Sequence, residues 1–138
     1  MIQSVDSLKL AAAIDRVSAE KGIVTPVLVE VNIGDEVSKD GISAVNAHEL
    51  LCQMADFSHI SVQGLMTIPP ISDTEAKKRY YFSKMHQLFI DIQSKKIDNI
   101  SMNVLSMGMS DDFEEAIAEG STMVRVGTAI FGRRFYPV

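Results

Sequence analysis

Two short segments near the C-terminal end combine glycine with serine or threonine in a way that suits the binding of an anion. Ser106, Gly108 and Ser110 lie in residues 105–112, and Gly127 and Thr128 lie in residues 124–132. In each segment a short apolar run predicts a strand that breaks just before a helix. Such a turn leaves unpaired backbone N–H groups pointing at one spot, where the helix dipole also favours negative charge. We therefore predict a phosphate site, as found after the last two strands of many strand–helix barrels.

Arg125 is the one charged residue in the predicted strand 122–127. A guanidinium among apolar neighbours needs a partner, which is either a bound ligand or a carboxylate of the protein. Asp111 and Asp112 are the candidates for a structural ion pair. The sequence leaves both roles of Arg125 open.

The other ionisable residues predict structural roles. Adjacent side chains diverge in the first turn of a helix, so Asp111 and Asp112 are expected to cap a helix and complement its dipole rather than bind a metal. His48, His59 and His86 have no acidic partner at the spacing of metal ligands, and packing or surface exposure is the prediction for all three.

Composition limits the classes of function. The 138 residues are 46% apolar, enough for the core of one domain, and carry a net charge of −5. This net negative charge argues against nucleic acid as a partner, because nucleic-acid phosphates are bound chiefly by clustered lysine and arginine. The basic runs present, residues 77–79 and 133–134, are too short to change that. Cys52 is the only cysteine, which excludes an internal disulfide and favours a reducing compartment. No apolar run resembles a membrane span or a signal peptide, so a cytoplasmic protein is expected.

Five predicted strands alternate with helices, which predicts a parallel α/β sheet. Ser72 and Glu75 match a capping box ahead of the longest helix, and Lys21 with Gly22 ends the first helix. A helix is also expected near residues 44–55. The predicted strands are residues 2–5, 27–33, 60–68, 101–106 and 122–127.

Five strands cannot close the eight-stranded ring of a TIM-type barrel, which needs about 200 residues or more. The chain is therefore expected to form either an open sheet or part of such a barrel. In the second case its outer strands leave open edges and an apolar interior exposed. Self-association through those edges is the expected consequence.

Five segments resemble the pyridoxal phosphate homeostasis protein family, whose members are single-domain barrels similar to the N-terminal domain of alanine racemase. That family carries a Schiff-base lysine on its first strand, then a glycine-glutamate-asparagine segment and a tryptophan-histidine segment, and none of these occurs here. The resemblance therefore implies the C-terminal three-fifths of the domain, strands 4 to 8 of an incomplete barrel. The matching segments are residues 29–33, 38–42, 64–68, 105–112 and 123–132.

The resemblance implies a binding site for pyridoxal 5′-phosphate. It assigns the phosphate to Ser106 and Gly108 on one turn and to Gly127 and Thr128 on the other. Glycines let the backbone approach an oxyanion, although the two glycines also suit plain tight turns and Thr128 suits a helix cap. Arg125 is expected to face the pyridine nitrogen and to keep it unprotonated.

Two more residues are placed near the cofactor ring by the same resemblance. Asn32 and Met66 fall at strand ends that would face the barrel mouth. For Met66, plain packing is an equally good reading.

The implied function is a carrier of pyridoxal 5′-phosphate in vitamin B6 homeostasis that does not catalyse a reaction. Without the Schiff-base lysine, binding is expected to be weak or non-covalent, since Lys39 lies in a loop and an unburied, unactivated lysine forms imines poorly. Two alternatives stay open, a racemase-like enzyme and a structural piece without activity. The enzyme would need a base, and Tyr80 and Tyr81 fall in mid-helix, away from the strand ends.

Overall fold

The computed structural model describes residues 1–132, so Arg133 and Arg134 lie outside the described residues. Strands and helices alternate along this part of the chain, as predicted. The strands are β1 (Ile2–Val5), β2 (Thr25–Asn32), β3 (Ile42–Ser43), β4 (Ile60–Met66), β5 (Ile100–Met109) and β6 (Met123–Arg125). The helices are α1 (Leu8–Glu20), α2 (Ala47–Met54), α3 (Glu75–Ser94), α4 (Phe113–Ala118) and α5 (Thr128–Phe131).

The sheet is parallel, with the strand order β1-β2-β4-β5-β6. The two-residue β3 was not predicted. It pairs with the end of β2, where Val31 lies opposite Ile42 and Asn32 lies opposite Ser43. Because the order follows the chain and such crossovers are right-handed, the helices cover one face of the sheet.

The helix ends follow local capping chemistry. Ser7 caps α1 by accepting the N–H of Leu10, and α1 ends at Lys21 and Gly22, as predicted. The capping box at Ser72 is wrong, because Thr74 is the N-cap of α3 and its hydroxyl accepts the N–H of Lys77 at 3.4 Å. Glu75 is then the first helical residue and lies too early to close a box.

The α2 helix is shorter than predicted, because residues 42–43 belong to β3 and a turn follows them. The N–H of Asn46 donates to the carbonyl of Ser43 at 3.0 Å in that turn. The helix itself begins at Ala47 and ends at Met54.

The core lies between the sheet and the helices. Alternate residues of β2 point into it, namely Val27, Val29 and Val31, and meet apolar residues of α2 and α3 such as Leu51 and Phe82. The intervening residues of β2 face the other side, which we call the inner face of the sheet. Arg125, Ser106 and Met66 lie on this face or at its C-terminal edge.

A bulge at Gly64 sets the register of the central strand β4. Val62 pairs with Val27, but Gly64 already pairs with Leu28, so one extra residue is inserted in β4. Gly64 has φ of +149°, and a Cβ there would collide with the carbonyl of Val104. The bulge therefore requires glycine.

The sheet curls strongly enough to bring its two ends into contact. Gln3 on β1 donates its side-chain N–H to the sulfur of Met123 on β6 at 3.2 Å. Leu28, Met66 and Ser106 on the inner face are 0%, 4% and 0% exposed. The predicted exposure of an apolar interior is wrong for Leu28 and Met66, because the curvature of the sheet covers them.

Within the described part of the chain, β1 and β6 have no partner strand on their outer sides. Self-association through these edges stays a prediction. No described helix combines the length and the apolar character needed to cross a bilayer.

Candidate functional site

Arg125 lies at the end of β6, and its guanidinium is fixed by one group on β5 and one group just after β4. Its Nη1 donates to the hydroxyl of Ser106 at 2.7 Å, and its Nη2 donates to the carbonyl of Thr67 at 2.9 Å. Thr67 is itself fixed, since its N–H donates to the carbonyl of Ser106 and its hydroxyl to the carbonyl of Val31. These bonds hold a charged fork at a defined position on the inner face.

Gln3 completes this cluster from the first strand. The hydroxyl of Ser106 donates to the Oε1 atom of Gln3 at 2.8 Å. Neither Gln3 nor Thr67 was predicted from the sequence. Gln3 is a polar residue on a short strand with nothing to signal a partner more than a hundred residues away, and Thr67 takes part through its backbone carbonyl.

The charge of Arg125 faces carboxylates without forming an ion pair. Burial lowers the pKa of Arg125, while the nearby Glu30 and Asp112 raise it. Among the described residues, neither Asp111 nor Asp112 lies within ion-pair distance of Arg125. The predicted alternative of a structural ion pair with one of them is therefore wrong, because the guanidinium bonds to Ser106 and Thr67 instead.

Glu30 on β2 is a partly buried carboxyl whose pKa is raised by its surroundings. Burial raises its pKa, the neighbouring Asp40 and Asp6 raise it further, and Arg125 partly offsets this by lowering it. A carboxyl with a raised pKa in the folded state opposes folding once it ionises.

We expect Glu30→Gln to stabilise the protein at pH 7 and to have no such effect at pH 3, well below the pKa of an unperturbed glutamate. In acid Glu30 is protonated in both the folded and the unfolded chain, so its contribution disappears there. Urea unfolding at the two pH values measures the difference, with Glu20→Gln on the exposed end of α1 as the matched loss of charge. An equal effect of Glu30→Gln at both pH values would contradict this assignment.

The two glycine-bearing turns predicted from the sequence meet in the structure. The hydroxyl of Ser110 accepts the backbone N–H groups of Gly127 at 3.2 Å and Ala129 at 3.3 Å. Ser110 was not among the predicted site residues, although it stands in the motif. Its oxygen shows that the N–H groups of the second turn converge on an acceptor supplied from the first.

The two predicted glycines differ in what requires them. Gly108 has φ of +94°, and a Cβ there would lie 2.5 Å from the Cβ of Ala116. Packing of α4 against β5 therefore explains Gly108 without a ligand. At Gly127, by contrast, φ is −116° and a Cβ would meet nothing within 4 Å. The chain leaves open space there that neither backbone geometry nor packing demands.

Ser106 and Thr128 are placed differently from the sequence prediction. β5 continues to Met109, so Ser106 lies inside the strand rather than on the turn, and its hydroxyl serves Arg125 and Gln3. Thr128 is exposed and is the first residue inside α5, and the N-cap position belongs to Gly127. The reading of Thr128 as a helix cap is therefore wrong.

Asn32 and Met66 form part of the surroundings of the cluster. The side chain of Asn32 holds the loop after β2, because it donates to the carbonyls of Glu36 and Lys39 and accepts the N–H of Glu36. Met66 is buried and pairs in register with Ser106. Packing accounts for Met66, and the amide of Asn32 is engaged by its own loop.

The ammonium group of Lys39, in the loop after β2, is held by two neighbouring residues. Its Nζ lies 2.7 Å from a carboxylate oxygen of Glu36 and donates to the carbonyl of Pro69 at 2.9 Å. An ammonium with a carboxylate partner is a poor nucleophile.

The remaining polar candidates have structural roles. Asp112 occupies the N-cap position of α4, as predicted, but its carboxylate accepts the N–H of Met109 at 2.6 Å instead of a helix N–H. The Nδ1 atom of His59 lies 4.0 Å from Oδ1 of Asp15, which also accepts the backbone N–H of His59, so this histidine has an acidic partner that the sequence did not reveal. Across residues 1–132 no group of three or more histidine, cysteine, aspartate or glutamate side chains is arranged to hold a metal ion.

Comparison with known proteins identifies the family. The family described as alanine racemase, N-terminal domain, matches residues 1–134. The pyridoxal phosphate homeostasis protein of Aquifex aeolicus is 42% identical over 136 residues, which cover 99% of this chain and 59% of that relative. The chain thus spans less than two thirds of the length of this relative.

Two solved structures share the fold closely. A protein of unknown function from Bifidobacterium adolescentis superposes with a TM-score of 0.88 at 42% identity, covering 94% of this chain and 52% of the other. PipY of Synechococcus elongatus, solved with pyridoxal 5′-phosphate bound, gives a TM-score of 0.83 at 31% identity, covering 95% of this chain and 60% of the other. With the curled parallel sheet and nearly the whole sequence matched, this chain belongs to the alanine racemase N-terminal domain family.

Proposed function

We propose that this chain binds pyridoxal 5′-phosphate and forms part of a protein that carries the cofactor in vitamin B6 homeostasis. Relatives of similar sequence are named pyridoxal phosphate homeostasis proteins, and the PipY structure contains the cofactor. The observation that carries the proposal is the Arg125 guanidinium, fixed by Ser106 and Thr67 on the inner face. The chain would supply strands 4 to 8 of an eight-stranded barrel.

The residues present fit the chemical groups of this cofactor. Open space at Gly127, beside N–H groups that already converge on a hydroxyl, suits a phosphate. We assign the phosphate to the turns that carry Gly108, Ser110, Gly127 and Thr128, and the pyridine nitrogen to Arg125.

Three further residues surround the proposed binding site for the cofactor ring. Ser106 orients Arg125, whereas Met66 and Asn32 form the wall and the loop beside it. When bound, the cofactor supplies an electron-withdrawing ring and a reactive aldehyde.

Carriage rather than catalysis follows from the chemistry of Arg125. A guanidinium stays protonated at neutral pH and donates to an acceptor, so a pyridine nitrogen facing it stays unprotonated and the ring withdraws electrons less strongly. A racemase-like role also needs a base near the ring. Tyr80 is 61% exposed and its ring stacks edge-on against Tyr81 on the outer helix α3, away from the inner face.

We propose that the chain binds the cofactor without covalent attachment. Lys39, the lysine at the mouth of the sheet, is held by Glu36 and Pro69. Binding then depends on the phosphate and the ring nitrogen alone, which predicts a dissociation constant on the order of 0.1–1 mM. Borohydride should leave no cofactor attached to the protein.

The variant Gly127→Ala tests the phosphate assignment. Because φ at Gly127 is ordinary and a Cβ meets nothing within 4 Å, the protein should keep its stability within about 0.5 kcal/mol. The added methyl group would narrow the space for the phosphate, so affinity for pyridoxal 5′-phosphate in equilibrium dialysis should fall about tenfold.

Gly108→Ala serves as the contrasting control. It should destabilise the fold, because the new Cβ lies 2.5 Å from that of Ala116 at a positive φ. The proposed function fails if the unmodified chain shows no saturable binding that inorganic phosphate displaces. The phosphate assignment fails if Gly127→Ala binds as tightly as the unmodified chain.

A further inference from the structure

One side chain joins the candidate site to the overall curvature of the sheet. Gln3 lies on β1, at one end of the strand order, and contacts residues at the other end. Its Oε1 accepts the hydroxyl of Ser106 on β5 at 2.8 Å, and its side-chain N–H meets the sulfur of Met123 on β6 at 3.2 Å. Both polar atoms of the Gln3 amide are therefore used across the curled sheet.

We propose that Gln3 is a positioning residue that sets the orientation of Arg125 through Ser106 and thereby couples ligand binding to the curling of the sheet. The inference rests on the proposed function for its ligand, pyridoxal 5′-phosphate. It adds a residue that touches no ligand group but decides whether Arg125 is ready to bind one.

The hydroxyl of Ser106 is the adjustable link in the chain of hydrogen bonds. A serine hydroxyl rotates, so its hydrogen can point toward Arg125 or away from it. Gln3 accepts that hydrogen, which leaves an oxygen lone pair for the Nη1 atom of Arg125. Ser106 is 0% exposed, so water does not replace Gln3 as the acceptor.

The carboxylates near Arg125 offer its guanidinium an alternative orientation. Glu30 and Asp112 both attract the guanidinium from outside the hydrogen-bonded cluster. The bond to the carbonyl of Thr67 is a single contact and fixes only one end of the fork. Without the oriented hydroxyl of Ser106, the fork is free to turn toward Glu30 and away from a ring nitrogen.

The same contacts make ligand binding and sheet curvature interdependent. Gln3 reaches Ser106 and Met123 only when β1 and β6 approach each other. A ligand that needs the oriented fork therefore binds the curled sheet better than an opened one, and by linkage stabilises it.

The variant Gln3→Leu removes both amide contacts while keeping much of the side-chain volume. Equilibrium dialysis should show about tenfold weaker binding of pyridoxal 5′-phosphate and less than about twofold change for inorganic phosphate, which does not use Arg125. Gln63→Leu on β4 is the matched control, because the amide of Gln63 bonds only to Ser61 among the described residues. It should leave both affinities unchanged.

Equal weakening of both ligands, or none, in Gln3→Leu would overturn the proposal while leaving the proposed function standing. A second measurement needs no ligand. In urea unfolding, the midpoint shift of Gln3→Leu combined with Arg125→Lys should be smaller than the sum of the two single shifts, because both variants break one connected cluster. Additive shifts would overturn the proposal for Gln3. Absence of pyridoxal 5′-phosphate binding by the unmodified chain would instead reject the proposed function, and the unfolding measurement would still test Gln3.

Discussion

Gly64→Ala should destabilise the protein by about 3 kcal/mol, the largest effect we expect of any single methyl group in this chain. Gly64 sits at φ of +149°, and the new Cβ would collide with the carbonyl of Val104 on the adjacent strand. That oxygen belongs to the backbone of β5 and has no rotamer through which to move aside. The strands must separate or the bulge must disappear.

Urea unfolding with a matched glycine separates the two causes of this loss. Gly22 also has a positive φ, of +64°, but a Cβ there would meet nothing within 4 Å. Gly22→Ala should therefore show backbone strain alone, about 1 kcal/mol. If Gly64→Ala costs no more than Gly22→Ala, the close approach of the strands is not what requires glycine.

The bulge matters to the site because it decides which residues of β4 face inward. Side chains alternate along a strand, so removing one residue from the register exchanges the two faces beyond it. After Gly64, Met66 pairs with Glu30 on one side and with Ser106 on the other. The carbonyl of Thr67, which binds Arg125, follows directly, so the position of the guanidinium depends on this inserted residue.

Much of the fold follows from the alternation of apolar runs and helical patterns. β1 matches its predicted range, and β2 and β4 were found to within two residues. The errors occur where tertiary pairing overrides local signals. β5 runs on to Met109 because Met109 pairs with Arg125 of β6, and β3 exists only because β2 offers an edge to Ile42. Neither partner is visible in the local sequence.

The candidate site was likewise predictable only where local sequence carries a signal. A lone arginine among apolar residues signalled Arg125, and the paired motifs signalled turns that do converge. Gln3 carried no signal, because its importance arises from curvature that brings β1 to β6. Ser110 stood in the motif, but only the folded turns show that its hydroxyl accepts the N–H groups of Gly127 and Ala129.

Arg125→Lys should weaken binding of pyridoxal 5′-phosphate by about 10- to 100-fold, the largest loss of affinity we expect from a conservative substitution. The guanidinium bonds Ser106 and Thr67 at the same time and still presents donors to a ligand. An ammonium is a single point on a flexible stem and does not reproduce this fork. Burial, which already lowers the pKa of Arg125, also disfavours a charged lysine there.

The ratio of two affinities distinguishes a lost ring contact from a damaged fold. Inorganic phosphate has no pyridine nitrogen, so Arg125→Lys should leave its binding nearly unchanged in the same dialysis experiment. Arg79→Lys on α3 is the matched control, because Arg79 pairs with Glu75 and Glu119 on the outer surface. A parallel loss of both ligands would mean that Arg125 holds the turns together, and unchanged binding of the cofactor would remove Arg125 from the site. Selective loss of the cofactor alone requires that this one side chain recognise the ring.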